Sequence, residues 1–131
     1  MASIRASFTL SSQNALSYPF ALEAQLSARA DSGHNIRSKV LGTVQGADAV
    51  TVAKANDKTD VAYVYVRNLS SEKEHIVTLY VGTTNIAKIS GGEFAFLPAY
   101  PDLDYKVFAA KAGSTIEYAV FGVDDTQAKL G

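Results

Sequence analysis

The sequence has no cysteine, and that absence removes two kinds of chemistry at once. Without a thiol, neither a disulfide framework nor a thiolate metal site is possible in this chain of 131 residues. Cysteine usage therefore does not determine the redox compartment of the protein. The chain also lacks any apolar run near the ~18 residues that a membrane-spanning helix needs, so no membrane partner is expected.

An excess of one charge sign is missing too. Lysine plus arginine number 12 against 13 acidic residues, and charged residues make up 19% of the chain. The positive charges are scattered along the sequence, so no basic face is predicted for a nucleic-acid backbone. Nucleic acid is not expected as a partner.

The common enzyme signatures are absent as well. The sequence contains no G-x-S-x-G, no H-E-x-x-H, no G-x-x-x-x-G-K-[ST] and no G-x-G-x-x-G. The prediction is a protein that is not an enzyme, with no catalytic, cofactor-binding or metal site. The N-terminal segment contains Arg5 and has no continuous apolar run, so no secretion signal is expected. The protein is predicted to be made in the cytoplasm and to stay there or leave by cell lysis.

What is present is enough for a folded core. Hydrophobic residues make up 47% of the sequence, and a chain of this length fits one domain. The prediction is a single β-sandwich domain over residues 1–131, with residues 1–12 as an N-terminal arm. Residues 124–131 are predicted to be a polar tail.

The first half contains two segments with the period of a strand. Ile4 to Leu10 alternates apolar and polar residues, which is typical of a half-buried strand. Phe20 to Arg29 alternates too, although the spacing of Leu16, Phe20 and Ala24 would also fit a helix. Pro19 would interrupt a helix and is tolerated at the start of an edge strand, so a strand is predicted. Weaker strands are predicted over Ile36 to Val44 and Ala49 to Ala53.

The second half repeats short apolar runs separated by turn residues from Val61 to Val123. The run VAYVYV has apolar side chains on both faces, with Tyr63 and Tyr65 on one and Val64 and Val66 on the other. It should be a central strand covered on both sides, by a second sheet or another subunit. The fold class predicted is all-β, an antiparallel β-sandwich or jelly-roll of about nine to ten strands.

Gly91-Gly92 is the strongest turn signal in the chain. Two adjacent residues that accept positive φ favour a two-residue hairpin loop. The prediction is a hairpin in which Lys88 to Ser90 pairs with Glu93 to Ala95.

Several residues could carry chemistry, and each also has a structural explanation. His34 and His75 lack further ligands at zinc-site spacing and are read as loop histidines. Four aspartates could gather around Ca²⁺, but aspartate is also an ordinary turn former. These are Asp57, Asp60, Asp102 and Asp104.

Glu93 and Glu117 could be imagined as a glycosidase pair, but the preferred interpretation is that each is the polar member of an alternating strand. Six tyrosines could stack on sugars, but tyrosine is also common in packed strand faces and subunit interfaces, and packing is preferred. They are Tyr63, Tyr65, Tyr80, Tyr100, Tyr105 and Tyr118.

From Ala62 to Asp124 the chain resembles small virion proteins of tailed bacteriophages. The resemblance rests on a Tyr/Val strand ending in Arg67-Asn68, on a Gly92 to Ala95 step running to Pro98, and on a closing Ile116 to Ala119 strand. The short Met-Ala-Ser start and Val40-Leu41-Gly42 add to it. No enzyme site comes with this resemblance.

The resemblance implies a structural protein of the virion, synthesised in the host cytoplasm. The expectation is a capsid decoration (cement) protein that stabilises the phage head by binding the lattice of the major capsid protein, most simply as a homotrimer. The N-terminal segment Ala2 to Leu10 would be an arm or edge strand that pairs with a neighbour. The alternative is a carbohydrate-binding module associated with a tail or fibre. A small hydrolase is a third hypothesis.

Overall fold

A computed structural model describes residues 3–29, 32–33, 36–43, 49–53, 61–100 and 103–123. These residues form eleven strands and no helix, and every strand pairing is antiparallel. The prediction of an all-β antiparallel protein is confirmed, while a jelly-roll connection stays a prediction. The strands are β1 (Ser3–Ser12), β2 (Phe20–Arg29), β3 (Ser32–Gly33), β4 (Arg37–Val40), β5 (Val50–Ala53), β6 (Val61–Asn68), β7 (Val77–Val81), β8 (Thr84–Ile89), β9 (Phe94–Ala99), β10 (Tyr105–Ala109) and β11 (Thr115–Val123).

Two compact units divide the chain, Met1–Asp31 and Ser32–Gly131. The first is a hairpin in which β1 pairs with β2 from Ser3–Arg29 to Ser12–Phe20. Strand β2 has the bounds predicted from its alternation and from Pro19. The Ser12 hydroxyl accepts hydrogen bonds from the backbone N–H groups of Asn14 and Ala15, which turns the chain out of β1. The predicted arm is thus paired within its own chain.

The second unit is built from two sheets around one core. One sheet has the order β5-β10-β7-β8, and the other has the order β3-β11-β6-β9 with β4 also paired to β11. Fully buried residues of both sheets belong to one cluster, for example Val64 and Ile116 from one and Leu79 and Val107 from the other. Sheets that share an apolar core in this way form a β-sandwich.

Strand β6 lies at the centre of its sheet, between β11 and β9. Val64 and Val66 are 0% exposed and face the core. Tyr63 and Tyr65 alternate with them on the opposite face and are only half-buried. The prediction of a central strand is confirmed. Its tyrosine face is only partly covered within the chain.

The hairpin predicted at Gly91-Gly92 is wrong. A tight turn does form there, because the Glu93 N–H donates to the Ser90 carbonyl at 2.9 Å and Gly92 has a φ of 86°. The strands on either side are not paired, however. Strand β8 lies in the four-stranded sheet and β9 in the five-stranded sheet, so the turn carries the chain from one sheet to the other.

A two-residue hairpin loop does occur nine residues earlier. Strands β7 and β8 close at the pair Val81–Thr84, which leaves Gly82 and Thr83 as the loop. Gly82 has a φ of 62°, the left-handed conformation that such loops favour.

Several predicted features lie outside the described residues. They are His34, the turn at 56–60, Asp102 and the polar tail at 124–131.

Candidate functional site

The sheet that contains β6 exposes an aromatic surface on the side away from the core. The cross-strand pairs Tyr63–Phe121, Tyr65–Phe96 and Arg67–Phe94 place these side chains on one face, because directly paired residues point the same way. We call this surface the outer aromatic face. It consists of Tyr63, Tyr65, Phe94, Phe96 and Phe121.

Two rings of the outer aromatic face lie parallel. Tyr63 and Phe96 are diagonal neighbours on β6 and β9, with ring centroids 5.6 Å apart and planes 4° from parallel. An offset parallel pair of this kind is a favourable aromatic arrangement. Phe94, two residues before Phe96 on the same face, is 61% exposed. The face therefore combines an ordered aromatic pair with an aromatic side chain open to solvent.

A polar group adjoins these rings. The Tyr65 hydroxyl donates a hydrogen bond of 2.8 Å to Oε1 of Glu117. Partial burial raises the pKa of the Tyr65 phenol, and the hydrogen bond and the negative charge of Glu117 raise it further, while Arg67 opposes both. These contacts further favour the protonated, hydrogen-bond-donating form of the Tyr65 phenol.

Glu93 and Glu117, the two carboxylates considered as a glycosidase pair, do not share a hydrogen-bond partner. Glu117 accepts from Tyr65, whereas Oε1 of Glu93 accepts the backbone N–H of Ser90 at 2.7 Å. The carboxylate of Glu93 thus braces the turn between the two sheets.

The six tyrosines lie in three kinds of environment. Tyr80, Tyr105 and Tyr118 are 3%, 3% and 8% exposed, so they pack in the protein interior. Tyr63 and Tyr65 belong to the outer aromatic face. Tyr100 is 69% exposed, and a further tyrosine that the sequence analysis did not consider, Tyr18, is 63% exposed in the loop of the hairpin. The preference for packing therefore fits the three interior tyrosines.

At the end of β6, buried Asn68 joins three segments of the chain. Its side chain is 0% exposed and donates to the carbonyls of His75 at 2.6 Å and Ile89 at 2.9 Å. Its Oδ1 accepts the backbone N–H of Ser70 at 3.0 Å. All side-chain donors and one acceptor lone pair of the amide are thereby used. The sequence analysis missed this role, although an Asn followed two residues later by Ser is a signal for an Asx-turn.

The loop that Asn68 organises contains a serine, a histidine and a glutamate in hydrogen-bond contact. Ser70 Oγ lies 3.0 Å from Nδ1 of His75, and Nε2 of His75 lies 3.0 Å from Oε2 of Glu72. The Ser70 hydroxyl also accepts the backbone N–H of Glu72 at 3.3 Å. These contacts close a turn within six residues, so we assign this trio to loop structure.

Metal-ligating side chains do not cluster within the described ranges. No group of three or more His, Asp or Glu side chains there could hold a metal ion. Of the aspartates considered for Ca²⁺, only Asp104 lies among the described residues, and Asp57, Asp60 and Asp102 do not.

No protein-family model matches this chain, and no curated protein matches it either. The described part of the chain also contains no helix with the length and apolarity needed to cross a membrane.

Proposed function

We propose that this protein is a structural component of a bacteriophage virion, a decoration (cement) protein that binds the lattice of the major capsid protein. In this proposal it acts by contact and not by catalysis. It is synthesised in the host cytoplasm and located on the virion, and it assembles as a homo-oligomer, with a trimer as the first expectation.

The observation that carries the proposal is the outer aromatic face. A contiguous, partly exposed group of aromatic side chains on a sheet is typical of a protein–protein contact surface. Beneath it, the sheet is anchored by fully buried residues such as Val64 and Val66. A sandwich that presents an aromatic face suits a protein whose task is to hold neighbouring subunits together. The assignment to a phage capsid follows from the resemblance of Ala62 to Asp124 to small virion proteins.

Binding to capsid shells tests the proposal. Shells from the virus that encodes the chain would be prepared without this protein and titrated with the purified wild type and with Phe94→Ser. Because Phe94 is 61% exposed, its truncation should leave the fold intact. An aromatic anchor at an interface is commonly worth more than ~1.4 kcal/mol, so binding should weaken at least about tenfold.

Ile86→Ser is the matched control. Ile86 is an apolar side chain of similar character on β8 of the other sheet, and it is 45% exposed. Its replacement should leave shell binding unchanged. Absence of wild-type binding to the shells, together with absence of the protein from purified virus particles, would refute the cement function.

A carbohydrate-binding module of a tail or fibre is the second candidate. The parallel rings of Tyr63 and Phe96, with the Tyr65–Glu117 hydrogen bond beside them, supply the aromatic and carboxylate groups that sugar recognition uses. A glycan array followed by calorimetry would test it, with Tyr63→Ala against Tyr100→Ala as the exposed-tyrosine control. Glycan binding that Tyr63→Ala abolishes would favour this function, and an array without binding would remove it.

A further inference from the structure

The described part of the sandwich has four strand edges, and three of them are poorly suited to pairing with another chain. Strand β5 has four residues and is partly buried. The edge made by β3 and β4 consists of strands of two and four residues, and β4 contains Arg37 and Lys39. Strand β8 contains Lys88, and its register with β7 shifts at Ile86. Short strands, charged side chains and bulges are the features by which proteins prevent edge-to-edge pairing.

Strand β9 is the fourth edge, and only Pro98 near its end limits pairing there. It has six residues, contains no charged side chain and pairs with β6 without a shift in register. Its one partner strand within the described ranges is β6. A regular, uncharged edge of this kind is open to pairing with another chain.

The hydrogen bonds at the end of β6 show which of its backbone groups face β9. The Asn68 N–H donates to the Glu93 carbonyl at 2.9 Å, and the next N–H, that of Leu69, donates to the Thr115 carbonyl on the other side at 2.9 Å. Backbone groups of successive residues in a strand point to opposite edges. Every second residue of β6, counted back from Asn68, therefore bonds to β9.

The same alternation shows which backbone groups of β9 are free. Ala95 and Leu97 are the partners of those β6 residues, so the N–H and C=O groups of Phe94 and Phe96 point away from β6. Neither of these N–H groups makes a hydrogen bond within the described part of the chain. The next outward position is Pro98, which has no N–H and is tolerated on an edge strand for that reason. The free edge thus offers two N–H donors and three carbonyl acceptors.

We infer that the β9 edge binds an extended segment of a partner polypeptide, which adds to the sheet as a further strand. Extended backbone has donors and acceptors at the spacing of this edge. Side chains of the segment opposite Phe94 and Phe96 would extend the outer aromatic face. Those opposite Ala95 and Leu97 would cover the core side of the edge, where both residues are only half-buried. The segment should therefore have uncharged side chains on both faces.

A second copy of β9 matches this edge less well. In an antiparallel pair centred on Ala95, the Pro98 carbonyl would face the Gly92 N–H of the other copy, which already donates to a carbonyl of β6 at 3.0 Å. In a pair centred on Phe96, the Phe94 carbonyl would face a proline without an N–H. Each arrangement leaves carbonyl groups without donors, whereas a segment that lacks proline supplies an N–H to all three.

Selection from a displayed library of short random peptides tests the inference on the purified full-length protein. The selected peptides should be uncharged and rich in strand-forming residues. Phe94→Pro removes one outward N–H together with the ring, whereas Phe94→Ala removes the ring and keeps the N–H, so the two variants form a matched pair. Calorimetry should show at least about tenfold weaker peptide binding to Phe94→Pro than to Phe94→Ala. Equal affinities, or a library that yields no binder, would overturn the inference.

Hydrogen exchange on the wild-type protein supplies a second measurement that needs no variant. In the free protein, the amides of Phe94 and Phe96 should exchange faster than those of Ala95 and Leu97, which bond to β6. Addition of a selected peptide should slow exchange at Phe94 and Phe96 at least about tenfold. Unchanged exchange at both amides would contradict strand addition. So would sedimentation in which the wild type dimerises and Phe94→Pro does not, because a second copy would then occupy the edge.

The choice of a capsid protein as the source of the segment rests on the proposed function, but the two fail separately. Strand addition is measured with purified protein and peptides, whereas the cement function is judged on virus particles. Peptide binding at the β9 edge by a protein that is absent from particles would refute the cement function and support the inference. A protein that is bound to particles and binds no peptide at the β9 edge would do the reverse.

Discussion

Replacing Asn68 with alanine should destabilise the sandwich more than any other removal of a single polar side chain that we consider. The amide is 0% exposed and connects the end of β6 to the carbonyls of His75 and Ile89 and to the N–H of Ser70. Alanine removes all three hydrogen bonds. It also leaves two carbonyls and one N–H without their Asn68 partner, of which the Ile89 contact is buried and the other two are part-buried.

The magnitude follows from these contacts. Three hydrogen bonds contribute about 1 kcal/mol each, and the groups left unpaired add a desolvation cost, so we expect a loss of about 3 to 5 kcal/mol. Domains of this kind have unfolding free energies of about 5 to 15 kcal/mol, so the loss is a large fraction of the total.

Urea denaturation at pH 7 measures the effect, and Ser114→Ala is the matched control. Ser114 is 1% exposed, but its hydroxyl makes one hydrogen bond, to the Lys111 carbonyl at 2.8 Å. Its removal should cost about 1 kcal/mol. A loss for Asn68→Ala no greater than that for Ser114→Ala would refute the role assigned to the Asn68 amide.

Asn68→Asp adds a pH-dependent test of the same contacts. The carboxylate would face the carbonyl oxygens of His75 and Ile89, which raises the pKa of the introduced acid in the folded state. The protonated form is therefore favoured by folding. The variant should be most stable, relative to wild type, below the unfolded pKa of about 4 and should lose that stability as the pH rises through the folded pKa. A stability difference that does not change with pH would contradict this.

Three further predictions concern single side chains. Gly91→Ala should cost several-fold more stability than Gly92→Ala. A Cβ at Gly91 would collide with neighbouring backbone, whereas a Cβ at Gly92 would meet open space and only the φ of 86° would be strained. Equal losses of stability in urea denaturation would contradict this. Tyr80→Phe should leave stability unchanged or raise it by about 1 kcal/mol, because the Tyr80 hydroxyl is buried without a hydrogen-bond partner among the described residues. A clearly lower melting temperature for Tyr80→Phe would show that the hydroxyl has a partner. Glu117→Gln should lower the raised pKa of Tyr65 in a spectrophotometric titration. The raised phenol pKa contributes stability below about pH 10, and this stability is lost as the pH rises through the folded pKa. An alkaline titration of Tyr65 that Glu117→Gln leaves unchanged would refute the Tyr65–Glu117 coupling.

The sequence by itself determined where many of the strands lie. Alternation of apolar and polar residues, together with Pro19, was enough to place β2 at Phe20–Arg29. The run VAYVYV likewise identified β6 as a central strand with Val64 and Val66 on one face. These features follow from the extended backbone, in which successive side chains point to opposite faces of a strand. Neighbouring residues in the sequence determine this alternation locally.

The tertiary structure decided which strands pair and which surfaces remain open. The turn from Ser90 to Glu93 has the tight geometry that its glycines favour, yet it joins two sheets instead of two partners. The turn makes the same local hydrogen bond whether it joins two paired strands or two different sheets. Only the long-range burial of the flanking strands selects between these two arrangements. The outer aromatic face and the contacts of Asn68 arise in the same way, because their members come from β6, β9 and β11 and from separate loops, and packing alone brings them together.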